Sequence, residues 1–139
     1  MIRIRRVRPP EMGTVTRFIE KIFPESSVRI RENDIVLVAE ASDGAAPNGE
    51  ERSNIVGFVH VIDRGDRFIL QGLGVDPFLR SQGVGTLLLE GALEVLGRET
   101  KPVYLKVKPL NPAVDLYERH GFSVCRFGRA HVLVKKPNQ

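Results

Sequence analysis

The chain has 139 residues, of which 42% are hydrophobic and 27% are charged, and this length suits a single domain with its own buried core rather than two domains. The sequence contains no run of the roughly 18 apolar residues that a membrane-spanning helix needs, and its basic N-terminus lacks the apolar segment of a signal peptide. We therefore expect a cytoplasmic protein without a membrane partner.

Charge and cysteine content narrow the possible partners further. The formal net charge of +4 permits a nucleic-acid partner, but no nucleic-acid-binding motif accompanies it, so none is expected. The basic residues near the start alternate with apolar ones and predict a strand with one solvated basic face, formed by Arg3, Arg5, Arg6 and Arg8.

The single cysteine, Cys125, excludes an internal disulfide. Because it lies in an apolar run, we predict a small buried residue rather than a reactive thiol.

The first half of the chain predicts one helix and four strands. Residues 2–8 form the first strand, and Pro9 and Pro10 open a helix that runs to about Phe23. Residues 24–33 are hard to interpret and allow a short second helix. Residues 35–41 and 54–63 are rich in Val and Ile and predict an antiparallel pair, joined by a mobile loop over residues 42–53. A turn then leads to a third strand of this meander at residues 67–75.

The second half alternates helices and strands. Residues 81–97 predict a helix with an apolar face, and residues 111–120 predict another. Between them, residues 103–108 form a strand whose alternate residues lie on opposite faces, with either Val103, Leu105 and Val107 or Tyr104, Lys106 and Lys108 toward the core. Residues 122–127 and 130–135 close the chain as a hairpin. These elements predict a mixed α/β sheet with helices on both sides.

The segment of residues 70–89 combines a predicted strand, a basic turn and the start of a helix. Gly83 and Gly85 carry no Cβ atom, so amides at the start of a helix beginning near Ser81 or Gln82 can approach an anion closely, with the Arg80 guanidinium beside them. The implied ligand is a phosphate or pyrophosphate. The alternative is an ordinary turn whose glycines let the helix pack close to the sheet.

Two common phosphate loops do not fit this segment. A P-loop requires Gly-Lys followed by Ser or Thr, which is absent here, and Leu88 stands where the third glycine of a Rossmann fingerprint belongs. The pattern that remains is R-x-x-G-x-G, from Arg80 to Gly85, preceded by Leu-Gly-Val-Asp-Pro at residues 73–77.

That pattern resembles the pantetheine-pyrophosphate motif of the GNAT superfamily of N-acetyltransferases. A second stretch, residues 111–122, resembles the other signature of the family, in which an Asn opens a helix that ends in a Leu-Tyr pair and a Gly-Phe. The resemblance covers roughly the whole chain. It implies a GNAT-like α/β (α+β) fold with a mixed, mostly antiparallel central sheet, helices on both sides, and two splayed strands that hold the cofactor.

The resemblance also implies a set of functional residues and no metal. Acetyl-CoA would pair its pantetheine arm with the backbone of Leu73 and Val75, and Tyr117 would protonate the leaving thiolate. Alternatively, Tyr117 is a packing residue, and Asn111 is only a helix cap. The residues assigned to acetyl-CoA binding are Leu73, Gly74, Val75, Arg80, Ser81, Gln82, Gly83, Val84, Gly85, Thr86 and Asn111.

The sequence departs from the family where a general base is expected. Many relatives carry a glutamate at the positions of Ile69 or Lys106, and neither residue is acidic here. Gln71 could hold a water, and the titratable residues His60, Glu40 and Asp66 lie at distances that the sequence does not reveal, so no base is assigned. Lys106 either repels cationic acceptors from the acceptor groove or points to solvent.

The sequence thus predicts an N-acetyltransferase that transfers the acetyl group of acetyl-CoA to a primary amine, at a protein N-terminus or on a small molecule. A catalytically silent acetyl-CoA-binding sensor of the same fold is the alternative.

Overall fold

The computed structural model of the protein describes residues 1–45 and 51–137, without the side chains of residues 43–45 and 51–53. Short 3-10 turns at Pro9–Glu11 and Pro77–Leu79 lead toward the first and second helices. In chain order the elements are β1 (Ile2–Arg6), α1 (Met12–Ile22), β2 (Ile35–Ala45), β3 (Glu51–Asp63), β4 (Phe68–Val75), α2 (Val84–Leu96), β5 (Val103–Val107), α3 (Ala113–Arg119), β6 (Ser123–Arg126) and β7 (His131–Lys135).

The described strands form one seven-stranded sheet in the order β1-β2-β3-β4-β5-β7-β6. Neighbouring strands are antiparallel, except that β4 and β5 are parallel, with α2 as the crossover that a parallel pair requires. Residues of α2 and α3 belong to the larger hydrophobic core on one face of the sheet, and residues of α1 belong to a smaller core on the other. The predicted fold class is confirmed.

The strand β5 shows which of its faces belongs to the core. Val103, Leu105 and Val107 are buried in the larger core, whereas Tyr104 is half-buried and Lys106 is exposed. By strand alternation, Lys106 lies on the same sheet face as α1.

Three predicted boundaries were wrong. The helix predicted from residue 81 begins at Val84, because Ser81 and Gly83 have φ angles of 68° and 83° that a right-handed helix cannot contain. Residues 24–33 form turns and irregular backbone, with no helix. The β2–β3 ladder continues past the apolar run to Ala45 and Glu51, since backbone pairing needs no apolar side chain. The rest of the predicted loop, residues 46–50, lies outside the described residues.

Two predictions about single side chains were also wrong. Cys125 is exposed, because β6 is an edge strand. Arg5 does not belong to a solvated basic face: its side chain is only 11% exposed and contacts two carboxylates.

Within the described ranges, no helix has both the length and the apolar character needed to cross a bilayer.

Candidate active site

The predicted anion turn connects β4 to α2 through a well-defined series of backbone contacts. The Asp76 carboxylate accepts a hydrogen bond from the Phe78 amide at 2.9 Å and caps the 3-10 turn that follows. The side chain of Arg80 then bends back, and its Nε donates to the carbonyl oxygen of Val75 at 3.3 Å. Arg80, Ser81, Gln82 and Gly83 are all exposed, so this basic turn is accessible to a ligand.

The amides at the start of α2 are available to an anion. Gly83 caps the helix in a left-handed conformation, and the Leu87 amide donates to its carbonyl oxygen at 3.1 Å. The N–H groups of Val84, Gly85 and Thr86 precede that bond and have no partner within the helix. The positive end of the helix dipole lies at the same place. The geometry therefore fits a phosphate group, as the motif predicts.

Gly85 lies where the turn, the end of β4 and α3 meet. A Cβ atom added at Gly85 would lie 3.8 Å from Leu116 Cδ2 and 3.9 Å from Val75 Cγ2. Leu116 is the neighbour of Tyr117 on α3, so the motif at residues 80–85 and the motif at residues 111–122 come together in space. The sequence alone placed them only in order along the chain.

The strands β4 and β5 separate close to this meeting point. Their pairing covers Phe68 with Val103 and Ile69 with Tyr104, so β4 beyond Ile69 has an open side toward β5. The Asp76 amide donates to Val56 on β3 at 2.8 Å. Because backbone groups of alternate residues point to opposite sides of a strand, those of Leu73 and Val75 point to the open side. This geometry fits an extended ligand that pairs like an additional strand.

Gly74 has a packing role that the sequence did not reveal. A Cβ atom there would lie 2.8 Å from Phe58 Cε1 and 2.9 Å from Ile22 Cγ2, closer than van der Waals contact allows. The missing side chain therefore lets α1 and β3 pack tightly against β4.

Tyr117 is buried on α3 and belongs to the larger hydrophobic core. Its side chain is 6% exposed, and its ring packs edge-on against Phe122 with 5.8 Å between centroids. Burial raises the pKa of Tyr117 to about 12, since the charged phenolate would lose its hydration. The hydroxyl makes no hydrogen bond to another described residue, so it is a protonated donor that is free to bind a ligand.

Asn111 caps α3 through its side chain. Its Oδ1 accepts a hydrogen bond from the Ala113 amide at 2.9 Å, which satisfies one of the unpaired donors of the helix start. The capping interpretation of Asn111 is therefore confirmed. Asn111 is itself exposed, so the cap does not prevent a ligand contact.

A cleft of about 320 Å³ lies on the α1 side of the sheet. Its lining comes from the end of α1, the connector to β2, and neighbouring parts of β3 and β4. Three arginines of the lining, Arg29, Arg31 and Arg64, are exposed, so the cleft has a positive rim. Lys106, which the sequence suggested as a possible charge in the acceptor groove, does not belong to this lining.

The floor of the cleft contains a buried hydrogen-bonded pair of side chains. His60 Nε2 lies 2.8 Å from Asp34 Oδ2, with side-chain exposures of 5% and 3%. The sequence identified His60 as titratable but missed Asp34, which is 26 residues away and carries no local signal. Gln71 also lines the cleft. It is the extra residue of a β-bulge, since His60 pairs with Gly72 and Val61 with Leu70.

The other candidate bases lie elsewhere. Glu40 Oε2 accepts from Arg5 Nη2 at 2.7 Å and from Nε at 3.1 Å, so it is committed to an ion pair. Asp66 is exposed near Arg67, away from the cleft lining. In the described part of the chain, no group of three or more His, Cys, Asp or Glu residues could hold a metal ion.

Comparisons with known proteins agree with this geometry. The family model described as "Acetyltransferase (GNAT) domain" matches residues 32–124, whereas no curated protein sequence matches significantly. Among solved structures, the ribosomal-protein-S18-alanine N-acetyltransferase of Escherichia coli has a TM-score of 0.76 at 19% identity, over 100% of this chain and 96% of that one.

Two other solved structures have the same fold. NAA60 of Arabidopsis thaliana in complex with acetyl-CoA has a TM-score of 0.74 at 19% identity, over 100% of both chains. The PaiA N-acetyltransferase of Thermoplasma acidophilum in complex with coenzyme A has a TM-score of 0.71 at 15% identity, over 98% of this chain and 99% of that one.

Proposed function

The chain belongs to the acetyltransferase (GNAT) domain family of acetyl-CoA-dependent acetyltransferases, and from that premise we propose that it is an active N-acetyltransferase whose acceptor is a primary amine. The observation that carries the proposal is the meeting of the two motifs at Gly85. The end of β4 at Val75, the unpaired amides at the start of α2, and Leu116 of the helix that carries Tyr117 come together there.

Acetyl-CoA binding follows from the backbone of β4 and α2. The unpaired groups of Leu73 and Val75 suit the amides of the pantetheine arm. The amides of the turn and of the first helical residues suit the pyrophosphate, with the Arg80 charge beside them. Gly74 preserves the packing behind β4, and the exposed Asn111 before α3 would contact the arm. The full set is the one that the motifs predicted: Leu73, Gly74, Val75, Arg80, Ser81, Gln82, Gly83, Val84, Gly85, Thr86 and Asn111.

Acetyl transfer then needs a polarised carbonyl and a proton near the leaving sulfur. A backbone N–H on the open side of β4, at Leu73 or Val75, donates to the thioester oxygen as negative charge develops there. The phenol of Tyr117 donates to the sulfur. Its pKa of about 12 exceeds the value of about 8.5 for an ordinary thiol, so the phenol gives its proton to the sulfur only as the reacting nitrogen, which becomes strongly acidic once the carbon–nitrogen bond forms, replaces that proton.

The positive rim of the cleft favours an acceptor with carboxylates. Arg29, Arg31 and Arg64 line the cleft together, and the acidic residue of the lining, Asp34, is already paired with His60. A polyamine or a lysine-rich peptide would be repelled, whereas an acidic peptide would be attracted. The structural similarity to an N-acetyltransferase of a ribosomal-protein alanine supports a peptide α-amino group as the reacting amine.

An acetyl-transfer screen tests this proposal. Free thiol released from acetyl-CoA is measured with acidic and lysine-rich N-terminal peptides, polyamines, aminoglycosides and amino acids. We expect turnover that is at least about tenfold faster, in kcat/KM, with acidic peptides than with spermidine. Faster turnover of spermidine would overturn the acceptor class. Acetyl-CoA binding without turnover on the whole panel would favour the silent sensor instead.

The exposed cysteine of the chain suits a reducing compartment. The single cysteine is exposed, and a free surface thiol persists where glutathione and thioredoxin keep thiols reduced. We therefore propose a cytoplasmic enzyme, as monomer or homodimer.

A further inference from the structure

We propose that His60, oriented by Asp34, is the general base that takes a proton from the acceptor amine. This inference rests on the proposed function and names the base that the motifs leave unassigned. The family positions that commonly hold a glutamate carry Ile69 and Lys106 here, and neither side chain has a carboxylate. The buried pair of His60 and Asp34 on the cleft floor contains a group that can accept the proton, at another place in the fold.

The contact with Asp34 determines which imidazole nitrogen can act as a base. A carboxylate only accepts hydrogen bonds, so at 2.8 Å the neutral ring donates its Nε2–H to Asp34. The lone pair then lies on Nδ1. The backbone amide of Arg31 donates to the same Asp34 oxygen at 2.9 Å, and the Asp34 amide donates to the Arg31 carbonyl at 3.0 Å. This tight turn fixes the orientation of the Asp34 carboxylate, and the carboxylate in turn fixes the orientation of the imidazole ring.

The free nitrogen is accessible from the cleft. His60 lines the cavity, and Nδ1 makes no hydrogen bond to another described residue. Among the described residues, no fully buried side-chain nitrogen or oxygen lacks a partner, so Nδ1 has contact with the cavity. An amine or a water in the cleft can therefore reach it.

The route from His60 to the open side of β4 passes Gly72 beside the Phe58 ring, because a Cβ atom at Gly72 would lie 3.2 Å from Phe58 Cε2. His60 pairs with Gly72 on β4, and neighbouring strands are about 4.8 Å apart. Gly72 follows the last β4 residue paired with β5, Ile69, by three positions, so it lies where the open side begins. An acceptor that extends from the cleft toward the thioester must therefore pass the edge of the Phe58 ring, which also lines the cleft.

The charged groups that face the pair come from the connector before β2 and from the segment after β3, whereas the lining residue of α1, Ile19, is apolar. Arg29 and Arg31 belong to the connector between α1 and β2, and Arg64 follows β3. The lining residues from β4, Gln71 and Gly72, carry no charge. The carboxylate of Asp34 is thus the one acidic group of the described cleft lining.

The proposed step balances in atoms and charge. An N–H bond of the acceptor ammonium breaks, His60 Nδ1 takes the proton, and the imidazolium later releases it to solvent. The freed lone pair forms the carbon–nitrogen bond, and the carbon–sulfur bond of the thioester breaks. The sulfur takes a proton from Tyr117, which regains one from the nitrogen as the amide forms.

The test is the pH dependence of the His60→Gln variant. With an acidic peptide whose α-amino group has a pKa of about 8, we expect kcat/KM to fall about 100-fold near pH 7. The difference from the unsubstituted protein should shrink toward none above about pH 9, because the amine is then already neutral. Acetyl-CoA affinity, measured separately, should remain unchanged.

The Asp34→Asn variant provides an independent check, because the amide oxygen can still accept from Nε2–H while the negative charge is lost. We expect the same pH-dependent pattern with a loss of about tenfold. If both variants lose activity equally at every pH, the pair merely anchors the connector and the inference is wrong. If the unsubstituted protein acetylates no amine at any pH, the proposed function itself fails.

Discussion

At the scale of single residues, the surroundings of Tyr117 decide what its hydroxyl can do. The ring is almost fully buried and packs against Phe122, which accounts for its place in the core. Packing alone does not require the hydroxyl, because the group makes no hydrogen bond to another described residue. With its pKa raised to about 12 by burial, the phenol stays protonated throughout the neutral range and can serve as a donor.

The Tyr117→Phe substitution separates the two roles. It removes the hydroxyl and keeps the ring that packs against Phe122. We expect kcat to fall about 100-fold, while the dissociation constant for acetyl-CoA changes less than about threefold and the free energy of unfolding changes by less than about 1 kcal/mol. Steady-state kinetics, calorimetric titration and urea denaturation measure these quantities. An unchanged kcat would leave Tyr117 with a packing role only.

At the scale of elements, the turn before α2 combines two left-handed residues, Ser81 and Gly83. This conformation suits glycine but costs a side-chain-bearing residue about 1 kcal/mol. Because residues with positive φ cannot belong to the helix, the helix begins only at Val84, and the amides of the turn are left exposed. The glycines of the motif therefore have different physical roles: Gly83 provides a backbone conformation, and Gly85 keeps space open between the helix, Val75 and Leu116.

The Gly85→Val substitution tests the open space. A Cβ atom at this position makes ordinary contacts at 3.8 Å and 3.9 Å, but the Cγ atoms of Val extend beyond it, so we expect the free energy of unfolding to fall by about 1 to 3 kcal/mol. The branched side chain covers the amides, and the dissociation constant for acetyl-CoA should rise at least about tenfold. Calorimetric titration and urea denaturation measure both.

The matched variant is Gly83→Ala, whose added Cβ would meet no protein atom within 4 Å. It should lower the free energy of unfolding by about 1 kcal/mol through its positive φ. Unchanged acetyl-CoA binding by Gly85→Val would contradict the proposed site.

At the scale of the whole molecule, Arg5 ties the N-terminal strand to the rest of the fold. Its two Nη atoms donate to the Glu11 carboxylate at 2.8 Å and 2.7 Å, and it also contacts Glu40 on β2. Glu11 in turn accepts from the Arg8 amide at 2.9 Å. One guanidinium thus joins β1, the approach to α1 and the neighbouring strand.

The Arg5→Ala substitution should therefore destabilise the whole domain. It leaves two partly buried carboxylates without their partner, and we expect the free energy of unfolding to fall by about 2 to 3 kcal/mol. The control is Arg3→Ala, since Arg3 is 62% exposed and lies 3.9 Å from Glu40. That change should cost less than about 0.5 kcal/mol. Equal losses in the two variants, measured by urea denaturation, would contradict a special role for Arg5.

The same contacts predict how stability depends on pH. Hydrogen bonds from Arg5 and from the Arg8 amide lower the pKa of Glu11 from 4.5 to about 2. The pKa of Asp63 is lowered by the Gly65 amide and Lys101. The unfolded chain binds protons at these carboxyls first, so their stabilisation is present above about pH 4.5. It is lost as the pH falls toward 2.

The measurement is the midpoint of urea denaturation between pH 6 and pH 2. We expect a decline below about pH 4.5, and a shallower one in the Glu11→Gln variant, which has no carboxylate to protonate. An identical decline in the two proteins would mean that Glu11 does not contribute.

The features that the sequence predicted depend on short stretches of chain. Apolar periodicity identified most helices and strands, and Asn111 indicated its own helix cap. The two motifs pointed to the GNAT family. Their agreement with the structure has a physical reason, since steric restriction, capping and strand alternation act between residues a few positions apart.

What the sequence alone determined is the fold class and the glycine-containing turn before α2, because local backbone preferences and residue periodicity encode both. Only the tertiary structure decided that Arg5 is a buried ion-pair partner, that Cys125 is exposed, and that Asp34 meets His60 across 26 positions. These outcomes depend on strand register and on which edge of the sheet a strand occupies. Contacts between residues distant in the chain form only when the whole domain packs, so no local sequence pattern predicts them.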